Sequence, residues 1–339
     1  MAHPLSLDML GMHGTYYANM AVHHSDVLMA VGARFDDRVT GKVDMFAPNA
    51  QIIHVDVHAS WISKNIPVAI PIVGDCKRVL AKLLEAVREE LKSYPGGAVR
   101  EARRQWHEQI AEWRTREPLR YEWSDDVIKP QYVIEQLSDL TKGEAFVVTG
   151  VGQHQMWAAQ YYRFKHPRMW CTSGGLGTMG YGLPTAMGVQ AAHPGKLVVN
   201  IDGDGSFSMN SQELATCFTE NLPVKTIMIN NSGHGMVRQW QRIIYKERFF
   251  AIDLPGIPDW VKLAEAYGCV GIRVTKPSEV VPALEKMLST PAPVVMDVCV
   301  DKDECGFPMV PAGGANKDMI LAPPTREVKE KAAKSQTGF

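Results

Sequence analysis

A chain of 339 residues that is 45% hydrophobic and 22% charged has the composition of a folded globular protein and length for about two or three domains. Its formal net charge of −1 excludes a chain-wide field that would draw nucleic acid or an anionic membrane, so small molecules and other subunits are the expected partners. Six scattered cysteines without a C-x-x-C pair read as reduced thiols of a cytoplasmic or organellar (plastid) interior, and apolar runs such as 27–31 and 145–148 fall far short of the roughly 20 residues of a membrane helix.

The chain reaches a dense motif, Leu10-Gly11-Met12-His13-Gly14-Thr15, within a few residues of Met1, so we expect Met1 to be an internal position of a longer ancestral chain. Strand-like runs at 26–32, 51–57 and 68–73 precede an amphipathic helix over 77–92, which is α/β grammar with apolar strands buried on both faces. Tyr94-Pro95-Gly96-Gly97 breaks that pattern. A charged helix over 100–120 follows, with Trp106 and Trp113 on one face; its interleaved acids and bases suit a solvated linker better than a nucleic-acid patch. Alternation resumes with helix 131–140, strand 145–149, helix 154–162, a glycine cluster, helix 183–192, strand 197–201, helix 211–220 and strand 224–230. Helix–strand pairs at 260–267 with 270–274 and at 278–288 with 294–300 complete it. The expected fold class is α/β: two parallel-sheet domains, 1–95 and 129–307, joined by a helical linker, 96–128, and followed by a flexible tail, 308–339.

The chemistry concentrates where strands end. Gly203-Asp204-Gly205-Ser206 closes one apolar run, and Asn230-Asn231 closes the next, with Asn231 lying 27 positions beyond Asp204. If the two strands are neighbours in a parallel sheet, Asp204 and Asn231 leave the same edge and offer two oxygens to one hard cation. Mg²⁺ fits, because it takes few protein ligands and fills its octahedron from phosphate, carbonyl and water. The flanking glycines let backbone approach a diphosphate, and Asn210 with Glu213 has the spacing of a capping box whose helix would face the anion. Two other patterns overlap here. Asp202 to Glu213 mimics an EF-hand loop but has Phe207 where glycine is required, and Gly175-Leu-Gly177-Thr-Met-Gly180 is a solitary G-x-G-x-x-G match.

The Gly203-Asp204-Gly205 and Asn230-Asn231 pair is similar to the thiamine-diphosphate signature. With Gly152-Gln153-His154-Gln155, Ser173-Gly-Gly-Leu-Gly177, Gly235-Met-Val-Arg-Gln-Trp240 and Gly32-Ala-Arg34-Phe-Asp36-Asp37-Arg38-Val-Thr-Gly41, the chain resembles acetohydroxyacid (acetolactate) synthase catalytic subunits over nearly all of residues 5 to 313. Family chains continue N-terminally through half of an FAD domain and one further α/β domain. The resemblance makes 1–95 a partial central FAD-type domain and 129–307 the domain that binds the diphosphate of thiamine diphosphate.

That resemblance implies Asp204, Asn231 and the Gly233 carbonyl on the metal. It places Gln153, His154, Gly177, Thr178, Gly205, Ser206, Ser232, His234, Gly235 and Met236 around the cofactor, with Met179 under its thiazolium ring; an ordinary core methionine is the alternative. Arg38 would grip the carboxylate of a second 2-ketoacid, or else pair with Asp37; Trp240 would crowd the acceptor pocket, or else lie in the core. Leu10 to His13 (including Gly11 and Met12), Gly32, Ala33, Arg34, Phe35 and Asp36, Asp56-Val57 and Asp75-Cys76 match segments that contact a structural, non-redox FAD; Cys76 has the alternative of simple burial. The reaction implied is decarboxylation of pyruvate and transfer of its two-carbon unit to a second 2-ketoacid in branched-chain amino-acid synthesis, by a homo-oligomer that can carry a regulatory small subunit. The family activates the cofactor with a carboxylate from an N-terminal domain of a partner subunit, and no glutamate here matches it. Two departures stand out: His58 where a second acid is usual, and Ser232-Gly233-His234 where a bulky apolar residue commonly precedes Gly235. Rival readings are a pyruvate oxidase or glyoxylate carboligase, against which Phe35 to Arg38 and Gln239-Trp240 speak, and a non-catalytic cofactor-binding fragment.

Overall fold

The computed structural model describes residues 3–94 and 96–323. The chain divides into two compact units, an N-terminal one made of Leu7–Leu119 with Phe307–Ala322 and a C-terminal one centred on Arg120–Gly306.

The N-terminal unit contains α1 (Tyr16–His24), β1 (Val27–Val31), α2 (Asp37–Thr40), β2 (Gln51–Asp56), β3 (Ile70–Val73), α3 (Cys76–Glu90) and α4 (Gly96–Arg116). The strands form one parallel sheet in the order β1-β2-β3. One sheet face rests on Phe35, Phe46 and Ile66. On the other, Val27, Met29 and Val31 of β1 stay exposed, as do Leu80, Leu84 and Val87 of α3, which is unusual for parallel strands. Helix α1 was not legible as such. Thr15 starts it, its hydroxyl accepting from the Ala18 N–H at 3.2 Å.

Two expectations change here. The helix expected as a solvated linker buries its tryptophan face: Trp106 and Trp113 meet edge-on at 5.7 Å and pack with Tyr16, Tyr17 and Met319, because an apolar i, i+7 stripe found a partner in α1. The segment expected as a flexible tail is built into this unit over 307–322. Met309 and Val310 are fully buried, Met309 pairs with Ile320, and the Val310 N–H donates to the Met12 carbonyl. Residues 324–339 of that expected tail lie outside the described residues.

The same segment sets a pH dependence. His13 is buried, its Nδ1 is 3.2 Å from the Pro308 carbonyl, and burial pushes its pKa from 6.5 down to about 4. The unfolded chain therefore takes the proton first. Stability from this group is complete above pH 6.5 and is lost as pH falls towards 4, at up to about 1.4 kcal/mol per pH unit. Denaturant unfolding of the wild type and of His13→Gln between pH 7 and 5 should give a shallower acid loss in the variant, with buried His154 still adding a loss of the same sign; equal slopes would remove His13 from the explanation.

The C-terminal unit runs α5 (Pro130–Thr141), β4 (Phe146–Thr149), α6 (Gln153–Tyr161), β5 (Trp170–Cys171), α7 (Gly182–Ala192), β6 (Val198–Gly203), α8 (Asp204–Phe207), α9 (Leu214–Thr219), β7 (Lys225–Asn230), α10 (Gly235–Ile243), α11 (Trp260–Ala266), β8 (Val270–Val274), α12 (Val280–Ser289) and β9 (Val294–Cys299). Its six strands are all parallel, in the order β5-β4-β6-β7-β9-β8. β6 and β7 are buried along their whole length, which explains their near-continuous apolar runs. Helices cover them through Leu183, Phe207, Leu214 and Trp260, with Phe207 edge-on to Trp260. From β4 the chain goes one way to β5 and the other way through β6 to β7. That reversal opens a crevice at the carboxyl ends of β4 and β6.

Candidate functional site

The crevice is lined by Gly152, Gln153, His154 and Trp157 after β4, by Gly203, Asp204, Gly205 and Ser206 after β6, and by Asn231 and Gly233 to Val237 after β7, with Met179 on its wall. The expected neighbour relation holds. β6 and β7 pair in parallel with Gly203 opposite Ile229, so Asp204 and Asn231 leave adjacent strand ends. Asp204 is 1% exposed, and its Oδ2 has no hydrogen-bond partner. Burial lifts its pKa to about 6, against backbone donors including Gly205 and Gly233. A buried carboxylate oxygen left unpaired is costly, and a cation is the group that removes the cost. Asn230 is held aside by Asp297, to whose Oδ1 it donates at 2.8 Å, while its own Oδ1 accepts from the Ser232 N–H. Asn231 is therefore the residue presented to the crevice, and it donates from Nδ2 to Gln153 Oε1 at 3.3 Å, leaving the carbonyl end of its amide for a cation.

These donors fit a cation shared with a diphosphate. Among the described residues no cluster of three or more His, Cys, Asp or Glu side chains could hold a metal alone. One carboxylate, one amide oxygen and the Gly233 carbonyl leave positions for phosphate oxygens, as Mg²⁺ prefers. The glycines are required by space: a Cβ at Gly203 would lie 2.7 Å from His154 Nδ1, and one at Gly235 would lie 2.1 Å from Gln153 Oε1.

Behind this edge sits Asp202, fully buried, with burial raising its pKa to about 7. His154 Nε2 is 3.6 Å from its Oδ1, but burial drops the His154 pKa to about 3, so the imidazole is neutral and the contact is no ion pair. Ser206 lines the crevice, yet its hydroxyl accepts from the Val151 and Gly180 N–H groups and so ties three loops together. The expected capping box is absent. Asn210 makes no cap bond and instead donates to the Gly180 carbonyl, because the chain after β6 turns at once into α8 and a separate helical turn, Ser211–Glu213, precedes α9. Gly177, Thr178 and Ser232 are exposed and do not line the crevice, whereas His234 and Met236 do. Trp240 is half-buried and lines an open cleft of about 620 Å³ with Met236, Val237, Gln241, Tyr245 and Arg248, so it is not a core residue.

In the N-terminal unit, the carboxyl edge of the sheet gathers Gly32, Ala33 and Arg34 after β1, Asp56 and Val57 after β2, and Asp75 and Cys76 after β3. Cys76 is half-buried, its Sγ 3.9 Å from the Val55 carbonyl. Phe35 points into the core against Phe46 and His54 and is not presented at that edge. Leu10 to His13 belong to another group: Asn19 bonds Gly11 at both N–H and carbonyl, the Met12 N–H donates to the Arg38 carbonyl, and His13 is buried. Arg38 is exposed and paired with Asp37 at 3.0 Å. Asp36 is half-buried at the start of α2, where it accepts from Arg34.

Residues 150–298 match the family model described as the thiamine pyrophosphate enzyme C-terminal TPP binding domain, and residues 1–83 match the thiamine pyrophosphate enzyme central domain. The chain is 49% identical to acetolactate synthase 1, chloroplastic, of Zea mays over 94% of its own length and 50% of that protein's. Against the acetolactate synthase isozyme 3 large subunit of Escherichia coli (strain K12) it is 47% identical, over 94% of this chain and 56% of the relative. The chain belongs to the acetolactate synthase family of thiamine pyrophosphate enzymes.

It spans about half the length of the family members it matches. Its two all-parallel α/β units correspond to the family's central and cofactor-binding domains. Sequence reasoning gave no site role to three buried residues that shape these sites: Asp202, taken only as part of overlapping patterns, Gln239, used only within the Gln239-Trp240 motif, and Asn19. Gln239 carried a signal in retrospect, being a polar residue on the inward face of α10, a helix that was itself overlooked. Among the described residues no helix is long and apolar enough to cross a membrane.

Proposed function

We propose that this chain is the cofactor-holding part of an acetolactate synthase catalytic subunit, which joins pyruvate to pyruvate or another 2-ketoacid in branched-chain amino-acid synthesis. The observation that carries the reading is Asp204 with its unpaired buried oxygen, side by side with Asn231 and Gly233 in a glycine-lined crevice at the strand reversal. In this reading Asp204, Asn231 and the Gly233 carbonyl hold Mg²⁺, Gln153, His154 and Gly205 surround the diphosphate, and Met179 supports the ring. When bound, thiamine diphosphate supplies the electron sink for decarboxylation. The chain's own residues orient it, and Trp240, lining the open cleft beside Met236, is assigned to the size of the acceptor pocket.

A second reading, a folded but non-catalytic cofactor-binding fragment, is favoured by one observation: Asp204 is the one carboxylate among the residues lining the crevice, and the cation takes it. Product analysis with and without a polypeptide that supplies the activating carboxylate separates the two.

FAD belongs to this proposal through the loops at the carboxyl edge of the three-stranded sheet. Phe35 and His13 turn inward, His58 is exposed, and an apolar sheet face lies open, which supports partial over full flavin loading. Purified protein should be colourless or partly loaded, as read by absorbance near the flavin band against protein concentration. Stoichiometric, tightly held flavin would contradict this.

A further inference from the structure

Asn231 can serve a cation only if its amide points the right way, and the structure shows what decides this. The Gly306 N–H can only donate and its carbonyl can only accept. They grip Gln239 at both ends, N–H to Oε1 at 2.7 Å and Nε2 to the carbonyl at 3.0 Å, which fixes the polarity of a fully buried amide. Gln239 Oε1 then accepts from Gln153 Nε2 at 2.9 Å, and the Glu304 carbonyl accepts from the same nitrogen at 3.0 Å. Gln153 is left with Oε1 facing Asn231, whose Nδ2 donates to it. The Glu304 side chain is anchored in turn by Lys129 at 2.7 Å and Gln131 at 2.8 Å, so the 304–306 segment is a fixed reference. Gly235 gives the relay its room, since a Cβ there would lie 2.3 Å from Asn231 Nδ2.

We propose that Gln239 is a positioning residue that transmits the backbone polarity of Gly306 through Gln153 to Asn231, turning the Asn231 carbonyl oxygen towards the cation. This deepens, and rests on, the reading of the crevice as a cation and diphosphate site. Without Gln239, Gln153 loses one of the two acceptors that orient it. Once it flips, two NH₂ groups face each other, and Asn231 must turn its own NH₂ to the cation.

The test is calorimetric titration of the whole chain with thiamine diphosphate in Mg²⁺ and, separately, in Ca²⁺, with thermal unfolding as a check on the fold. Gln239→Met should weaken Mg²⁺-supported binding about 10–100-fold, the usual cost of removing a group that orients a metal ligand. The loss should be smaller in Ca²⁺, which tolerates irregular geometry. In an Asn231→Asp background, whose carboxylate has no donor end to misdirect, Gln239→Met should add little. Equal losses for both cations that persist with Asp at 231 would make Gln239 merely structural and overturn the relay. If Gln239→Met does not fold, Gln239→Glu carries the test: burial favours its neutral acid, whose O–H donates to the Gly306 carbonyl while the other oxygen accepts from Gly306 and Gln153, so binding near wild type is expected, and its loss overturns the relay. Failure of the wild-type chain to bind in either cation would overturn the crevice reading itself.

Discussion

Asp204→Ala should abolish Mg²⁺-dependent binding of thiamine diphosphate while leaving a folded protein of near wild-type stability. The reasons lie in burial and pairing. The Asp204 carboxylate is 1% exposed, one of its oxygens is unsatisfied, and its pKa is pushed up to about 6 by the surrounding protein. In the cofactor-free chain it is a cost, typically about 1–3 kcal/mol for an unpaired buried polar group. Replacing it with alanine removes that cost, loses the acceptor of the Gly205 and Gly233 N–H groups, and leaves the apolar core deeper along β6, at Val198 and Ile201, untouched, so the two effects largely offset. What is lost is the one carboxylate among the residues lining the crevice, and Asp202 behind it is turned to Gly203 and Asn200 instead. The measurement is a cofactor titration paired with a melting curve. Binding that survives removes Asp204 from the metal; lost binding with a collapsed melting transition would make its role structural.

Much of this arrangement was legible in the sequence because parallel strands buried on both faces write themselves as apolar runs. The ends of β4, β6 and β7 follow from such runs, and with them the placement of Asp204 beside Asn231. Less was legible where local pattern and tertiary role diverge. Asn210 and Glu213 have a capping spacing, but the chain after Gly203 enters α8 directly, so Asn210 serves Gly180 instead. The glycine- and proline-rich stretch after Pro308 looked unstructured because its order comes from distant partners: Met12, Val39 and Gly41 of the same unit. Helix α10 hid behind a polar run whose inward residues are Arg238 and Gln239, polar groups buried through partners at Asp253, Asp303 and Gly306. Ion pairs and amide bonds of that sort have no hydrophobic period to read.

The chain by itself, given Mg²⁺, thiamine diphosphate, FAD and pyruvate, should make little or no acetolactate. Among the described residues the crevice offers Asp204 as its one lining carboxylate, and Asp202 is fully buried behind it against Gly150 and Gly182. Neither is available to assist proton transfer at the cofactor, and assistance of that kind is typically worth about 10²–10⁴-fold in rate. Water is a second loss: the cleft at Trp240 is open, and Phe250, bonded through its backbone to Gln241 of that cleft, is 82% exposed, so bulk water would compete with the second ketoacid there. Supplying the family's N-terminal domain as a separate polypeptide should raise product formation by a factor in the same range. Rates equal to those of complete synthases without any addition would mean that a carboxylate of this chain does the work, and the fragment reading would fall.

The most direct test places the cation itself. A crystal of the chain grown with Mn²⁺ in place of Mg²⁺ and with thiamine diphosphate should give an anomalous peak bonded to an Asp204 oxygen, the Asn231 carbonyl oxygen and the Gly233 carbonyl, with the diphosphate completing its shell. An anomalous peak elsewhere, or a cofactor seated without contact to Asp204, would contradict the account.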